Sequence, residues 1–181
     1  MLTMVPPLPS VASRAESEAG PPGAVRSFEQ FFDDERKRLF GALAVMSGNL
    51  AEAEEVMQDA FLKVWENWDR VAEMDSPEGF LYRTALNLYR KRLRRAAVAI
   101  RKATSFMSED DALGGVETRD EIARMLRSLT AREREAIVLT AYLGYSTEEA
   151  GQLLGIRSST VRVHTARARA SLNRQAEEER S

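Results

Sequence analysis

Cysteine is absent from the 181 residues, which excludes disulfides and thiolate metal sites. Histidine occurs once, at His164, so a multi-histidine metal centre is excluded as well. No apolar run approaches the roughly 18 residues that a membrane-spanning helix requires. The stretch "MLTMVPPLPSVASRAESEAGPPG" lacks a basic region followed by a continuous apolar one, so it does not read as a signal peptide. The expected location is the cytoplasm. Neither a Glu-x-x-His pair nor a glycine-rich phosphate loop is present, which argues against an enzyme built on a helical bundle. No cofactor or metal is expected.

Charge of one sign is also scarce overall, with a net of −2, and this seems a poor balance for a nucleic-acid binder. The distribution says otherwise. Nine acidic residues fall between Gly48 and Glu78, against Lys63 and Arg70. Eight basic residues and no acid follow from Arg83 to Lys102. Six acids stand from Glu109 to Glu121, and five arginines without an acid run from Arg157 to Arg174. The small total conceals two basic faces, each able to meet phosphate.

Five of the six prolines lie in the first 22 residues, with little apolar material beside them, so residues 1–25 read as a disordered extension. Helical periodicity begins near Ser27. Phe28, Phe31, Phe32, Leu39, Leu43 and Met46 share one spacing, and Gly48 with Asn49 ends the pattern. "NLAEAEEVMQDAFLKVWENW" predicts a second helix with Val56, Ala60, Phe61, Val64, Trp65 and Trp68 on its apolar face. Ser76 and Pro77 start a third, since proline fits a first turn after a serine cap, and it fades after Lys102. Residues 26–102 therefore form one small bundle. The acidic "TSFMSEDDALGGVETRD" holds Gly114 and Gly115 and no period, so residues 103–118 read as a flexible linker. A second helical domain follows over 119–175, with a tail at 176–181. Thr130–Glu133 and Ser146–Glu149 both match the capping box. No strand signal competes, so the expected fold is all-α in two small domains.

The C-terminal stretch "STEEAGQLLGIRSSTVRVHTARARASL" has a glycine inside its first helix, where glycine costs about 1 kcal/mol relative to alanine. A helix-turn-helix explains it. Gly151 permits close helix approach, Gly155 makes the turn, and Val161 fills the angle between the helices. On the second helix Val161, Thr165, Ala168 and Leu172 share the inward side. Ser159, Val163 and Ala166 point away, flanked by Arg162 and Arg167. Small residues edged by arginine suit a major groove. Arg157, Arg169 and Arg174 suit phosphates, and His164 lies toward the packed side.

These residues resemble a family. "LRSLTAREREAIVLTAYLGYSTEEAGQLLGIRSSTVRVHTARARASL" is similar to the promoter-reading domain of bacterial sigma factors. "LTARERE" and "STVRVH" also resemble the LuxR-type DNA-binding domain. "AEAEEVMQDAFLKVW" resembles the sigma pattern D-A-E-D-L-V-Q-E-T-F-L-R-V-W, and "SPEGFLYRTALNLYRKRLRR" resembles the segment that follows it. Both motifs in this order look like the two-domain extracytoplasmic-function (ECF) group of the sigma-70 family. The resemblance implies a dissociable, non-catalytic initiation subunit. It implies docking on core RNA polymerase, on the largest catalytic subunit and the flap of the second-largest, through Glu55, Gln58, Asp59 and Leu62. It implies −10 single-strand capture through Tyr82, Arg83, Asn87, Arg90, Arg94 and Arg95, with a flipped base near Asn87. It implies −35 duplex reading through Arg157, Ser158, Ser159, Thr160, Arg162, Val163, Ala166 and Arg167. An anti-sigma factor is a further partner that such a family admits. Lys91 and Phe80 depart from the usual Asp or Asn and Trp, which bears on −10 sequence preference.

A second reading, an autonomous LuxR-type activator or repressor acting as a dimer, predicts operator binding without polymerase. It leaves the Glu55–Trp65 motif unexplained.

Overall fold

The computed structural model describes residues 26–103, 125–126 and 128–178. The expected N-terminal extension and most of the expected linker lie outside these residues.

Helix α1 (Phe28–Ser47) begins where Ser27 Oγ accepts the Gln30 N–H at 3.3 Å and Gln30 Oε1 accepts the Ser27 N–H at 3.2 Å. This capping box contributes about 1 kcal/mol. Gly48 ends the helix with φ 66°, and Asn49 at once caps α2 (Leu50–Trp65), its Oδ1 accepting the Glu52 N–H at 3.1 Å. The sequence pattern carries α2 on through Trp68; the structure stops it at Trp65. Asn67 Nδ2 donates to the Lys63 carbonyl at 2.9 Å, and Trp68 opens a separate short helix, α3 (Trp68–Ala72). The break turns the Trp68 indole against Phe28 and Phe31, with ring centroids 5.5 and 5.1 Å away. Trp65, expected on the same apolar face, is instead 59% exposed. On the helical wheel it falls between buried Phe61 and exposed Leu62, in the last turn of α2.

Helix α4 (Pro77–Ala103) starts as its sequence predicts, with Ser76 Oγ accepting the Gly79 N–H at 3.0 Å. Leu81, Tyr82, Ala85, Leu86 and Tyr89 form its buried side. Helices α1 and α4 both pack on α2.

Helix α5 (Ala131–Ile137) carries the Thr130–Glu133 capping box. The expected plain helix then widens into a π-turn (Val138–Tyr142), in which the Leu143 N–H reaches the Val138 carbonyl at 2.9 Å. Such a turn inserts one residue and re-aims the side chains after it. Helices α6 (Thr147–Leu154) and α7 (Ser158–Glu178) complete the C-terminal half, and both α5 and α6 pack on α7. Buried apolar residues of the two halves join in one continuous cluster. Among the described residues no helix is long and apolar enough to cross a membrane, and no group of acids or histidine could hold a metal ion.

Candidate nucleic-acid interface

The helix-turn-helix is built as its glycines predict. Ser146 and Glu149 form a complete capping box at the start of α6. Gly155 takes φ 68°, the left-handed conformation that a side chain disfavours. A Cβ on Gly151 would lie 2.8 Å from the Ile156 carbonyl oxygen and 3.3 Å from the Ser158 nitrogen. The partner in close approach is therefore the backbone of the turn itself. Val161 is fully buried in the angle, and Thr165 and Ala168 follow it inward. Such a valine contributes about 1.5–3 kcal/mol through burial.

The other side of α7 is open. Ser159, Arg162, Val163, Ala166 and Arg167 are exposed, as is Arg157 in the turn; Ser158 and Thr160 are half-buried. Arg162 Nη1 lies 3.2 Å from Glu148 Oε1 and 3.4 Å from Thr147 Oγ1, so α6 holds this guanidinium at the edge of the open face. Glu148 is held below the usual glutamate range, first by Thr147, with Arg162 adding to the effect. His164 is half-buried, and its Nδ1 and the Thr165 hydroxyl have no hydrogen-bond partner.

The basic helix of the N-terminal half has a different environment. Arg83, Asn87, Arg90 and Arg94 recur at helical spacing along α4. Arg94, Arg95 and Asn87 are exposed. Arg90 is not free: its Nε and Nη2 donate to Glu135 Oε1 and Oε2, each at 2.7 Å. Glu135 is 2% exposed and also accepts from Arg132 at 3.1 Å. Arg83 Nη2 donates to the Gln152 carbonyl at 2.6 Å. Tyr82 is 3% exposed; its ring packs on Tyr145 at 5.7 Å and its hydroxyl donates to Glu35 at 3.0 Å. As placed, Tyr82 offers no face to DNA. Burial pushes the Tyr82 phenol well above its ordinary value, with the Glu35 charge adding to it. Burial likewise raises Glu35, against the lowering effects of the Tyr82 hydrogen bond and Arg38. A cleft of about 420 Å³ remains between α4 and the C-terminal half, lined by Phe80, Arg83, Tyr145 and Gln152 among others.

On α2, Glu55, Gln58, Asp59 and Leu62 form one outward face, and exposed Trp65 extends it. Arg92 of α4 reaches across to it, donating to Glu55 and, at 2.9 Å, to Asp59. Gln58 Nε2 donates to Glu54 at 3.3 Å.

Sequence reasoning missed Glu135, Arg134, Tyr142 and Tyr145, which meet the N-terminal half. Arg134 donates to the Met46, Leu126 and Leu129 carbonyls at 2.8, 2.8 and 3.1 Å. Arg38 donates to the Leu143 carbonyl at 3.4 Å. The available signal was Glu135 itself, an acid between Ala136 and Arg134 at the edge of the "AIVL" run.

Two small helical domains, the second presenting a helix-turn-helix with an open basic face, define a DNA-binding protein. Family comparison specifies the kind. The family models Sigma-70 region 2 and Sigma-70, region 4 match residues 31–98 and 119–172, together about two thirds of the chain. ECF RNA polymerase sigma factor SigM of Mycobacterium tuberculosis is 29% identical over 149 residues, covering 82% of this chain and 76% of SigM. SigW of Bacillus subtilis is 27% identical over 165 residues, covering 82% of this chain and 88% of SigW. Among solved structures, CnrH in complex with the cytosolic domain of CnrY is 28% identical with a TM-score of 0.63, covering 93% of this chain and 96% of CnrH. RpoE of Bartonella quintana, in complex with the anti-sigma factor NepR, shares the fold with a TM-score of 0.72 at 23% identity, over 83% of this chain and 96% of RpoE. The chain belongs to the sigma-70 family, in its ECF group, and is a promoter-recognising transcription initiation subunit. Sigma factors are regulatory subunits without catalytic activity of their own, and they bind core RNA polymerase and promoter DNA.

Proposed function

We infer that the chain directs core polymerase to promoters through three separate surfaces. The open side of α7 reads the −35 duplex, with Arg162 and Arg167 at its margins and Ser159, Val163 and Ala166 allowing close approach. The α4 face from Arg83 to Arg95 captures the −10 strand, its arginines neutralising backbone charge and Asn87 meeting a base edge. Glu55, Gln58, Asp59 and Leu62 dock on the largest catalytic subunit, and the C-terminal domain meets the flap of the second-largest. The open, arginine-edged face of α7 carries this reading: it is the side chemistry of a groove-binding helix, left uncovered. An anti-sigma factor is a further partner, in keeping with the complexes in which CnrH and RpoE were solved. The chain itself performs no chemistry, and its place of action is the cytoplasm.

Run-off transcription with core polymerase tests the whole. Promoter-specific product should appear only when the chain is added. Replacing Gln58 by Ala and Asp59 by Arg should sharply reduce co-purification with core enzyme while leaving the helical circular dichroism intact, because Gln58 is exposed and Asp59 is half-exposed, its one partner, Arg92, keeping Glu55. Unchanged co-purification would remove the α2 face from docking.

A further inference from the structure

Arg92 belongs to none of the three surfaces named above, although it lies among the arginines of α4. Its side chain crosses to α2, where Nη1 donates to Glu55 Oε2 and Nη2 donates to Asp59 Oδ2 at 2.9 Å. Glu55 and Asp59 stand four residues apart on one helix face, so their charges repel one another. One guanidinium offsets both. The two carboxylates in turn hold Arg92 above the ordinary arginine value, first through Glu55 and then through Asp59. We propose that Arg92 is a positioning residue for core polymerase docking: its fork fixes Glu55 and Asp59 in the arrangement that the polymerase surface receives. The proposal rests on the reading of the α2 face as the docking face, and adds to that face a residue from another helix.

Three observations fit a hold and not a block. First, each acid gives Arg92 a single oxygen. Glu55 Oε1 and Asp59 Oδ1 have no donor among the described residues, so each can still accept from a basic partner. Second, Arg92 lies deeper than the groups it holds. The side chains of Glu55 and Asp59 are 64% and 49% exposed, that of Arg92 only 30%. Third, the guanidinium is planar and presents its nitrogens in a fixed fork, so it sets the spacing of the two acids as well as their charge. An ion pair this open adds little to folding stability. Its effect falls on binding: two flexible carboxylates are ordered before the partner arrives, and docking is spared that loss of freedom.

The chain lacks cysteine, so a single dye on Lys37→Cys, an exposed position on α1, reports binding of the full-length chain to core polymerase by anisotropy, with no DNA present. Arg92→Gln should weaken binding about tenfold, the size expected when two side chains must be ordered on docking. Its melting temperature should stay close to that of wild type. Glu55→Gln with Asp59→Asn removes the charges that Arg92 holds. Adding Arg92→Gln to that pair should change affinity by less than about twofold. A role in folding, or a direct contact with polymerase, would weaken both backgrounds alike, and that result would overturn the positioning. Wild-type or tighter binding by Arg92→Gln alone would overturn it too. Arg92→Lys keeps a cation within reach of both acids and should bind closer to wild type than Arg92→Gln does; a lysine no better than glutamine would overturn the hold. The docking reading is judged separately: wild-type affinity of the protein carrying Glu55→Gln and Asp59→Asn would remove these acids from docking, whatever Arg92 does.

Discussion

Arg157 in the turn and Arg162 and Arg167 on α7 face solvent, whereas Arg83 and Arg90 on α4 are bound to the other domain. Composition does not separate the two helices, since both are arginine-rich and each has one apolar side. What separates them is the acid beside them. Glu148, next to α7, is exposed and meets Arg162 only at the edge of the open face. Glu135, opposite α4, is buried and takes two parallel hydrogen bonds from Arg90. A basic stretch thus identifies a surface that can meet phosphate, while availability depends on a partner distant in sequence.

The contrast can be broken first at the open end. Gly151→Val sets a branched side chain against the backbone of the turn, which cannot yield as a side chain would. The C-terminal helices should lose about 3 kcal/mol by denaturant titration, with −35 duplex binding falling alongside. Next, Arg162→Ala should cost about 1–3 kcal/mol in binding of the reconstituted holoenzyme and relax preference at one −35 position. An equal loss on every −35 variant would make Arg162 a phosphate contact. On α4, Arg94→Ala with Arg95→Ala should weaken promoter binding across sequences. The slope of affinity against salt should fall by roughly 0.7 for each lost single-strand phosphate contact. The smallest effect is expected beneath the covered face. Glu35→Gln keeps an acceptor for the Tyr82 hydroxyl and removes a buried charge. Above the ordinary glutamate value of 4.5 and up to its raised folded value, Glu35 holds more proton folded than unfolded, so stability is lost as pH rises through that window. Melting curves of the variant should lose that decline and match or exceed wild type at pH 8.

Much of this was legible from the chain. The capping boxes at Thr130 and Ser146, the Gly151–Gly155–Val161 geometry and the inward set Val161, Thr165 and Ala168 follow from spacing alone, because each is local. The same local rule would have found the Ser27–Gln30 box. The stop at Trp65 was harder, since the apolar pattern continues through Trp68 and only the side-chain bond from Asn67 closes the helix. The π-turn has no marker in "VLTAY", whose residues all suit a plain helix. The Arg90–Glu135 pair is 45 residues apart in sequence, and no periodicity within either helix announces a partner in the other.

The Met46 carbonyl accepts two donors, the Tyr89 hydroxyl at 2.9 Å from its own domain and Arg134 at 2.8 Å from the other. Oxygen has two lone pairs, and the domains take one each. Were the domains to part, Tyr89 would keep its bond to the end of α1 and only the lone pair held by Arg134 would turn to water. Arg134 in turn keeps the Leu126 and Leu129 carbonyls. Each half thus carries its own satisfied backbone groups at this seam, so a separation would change solvation at a surface and oblige no helix on either side to unravel.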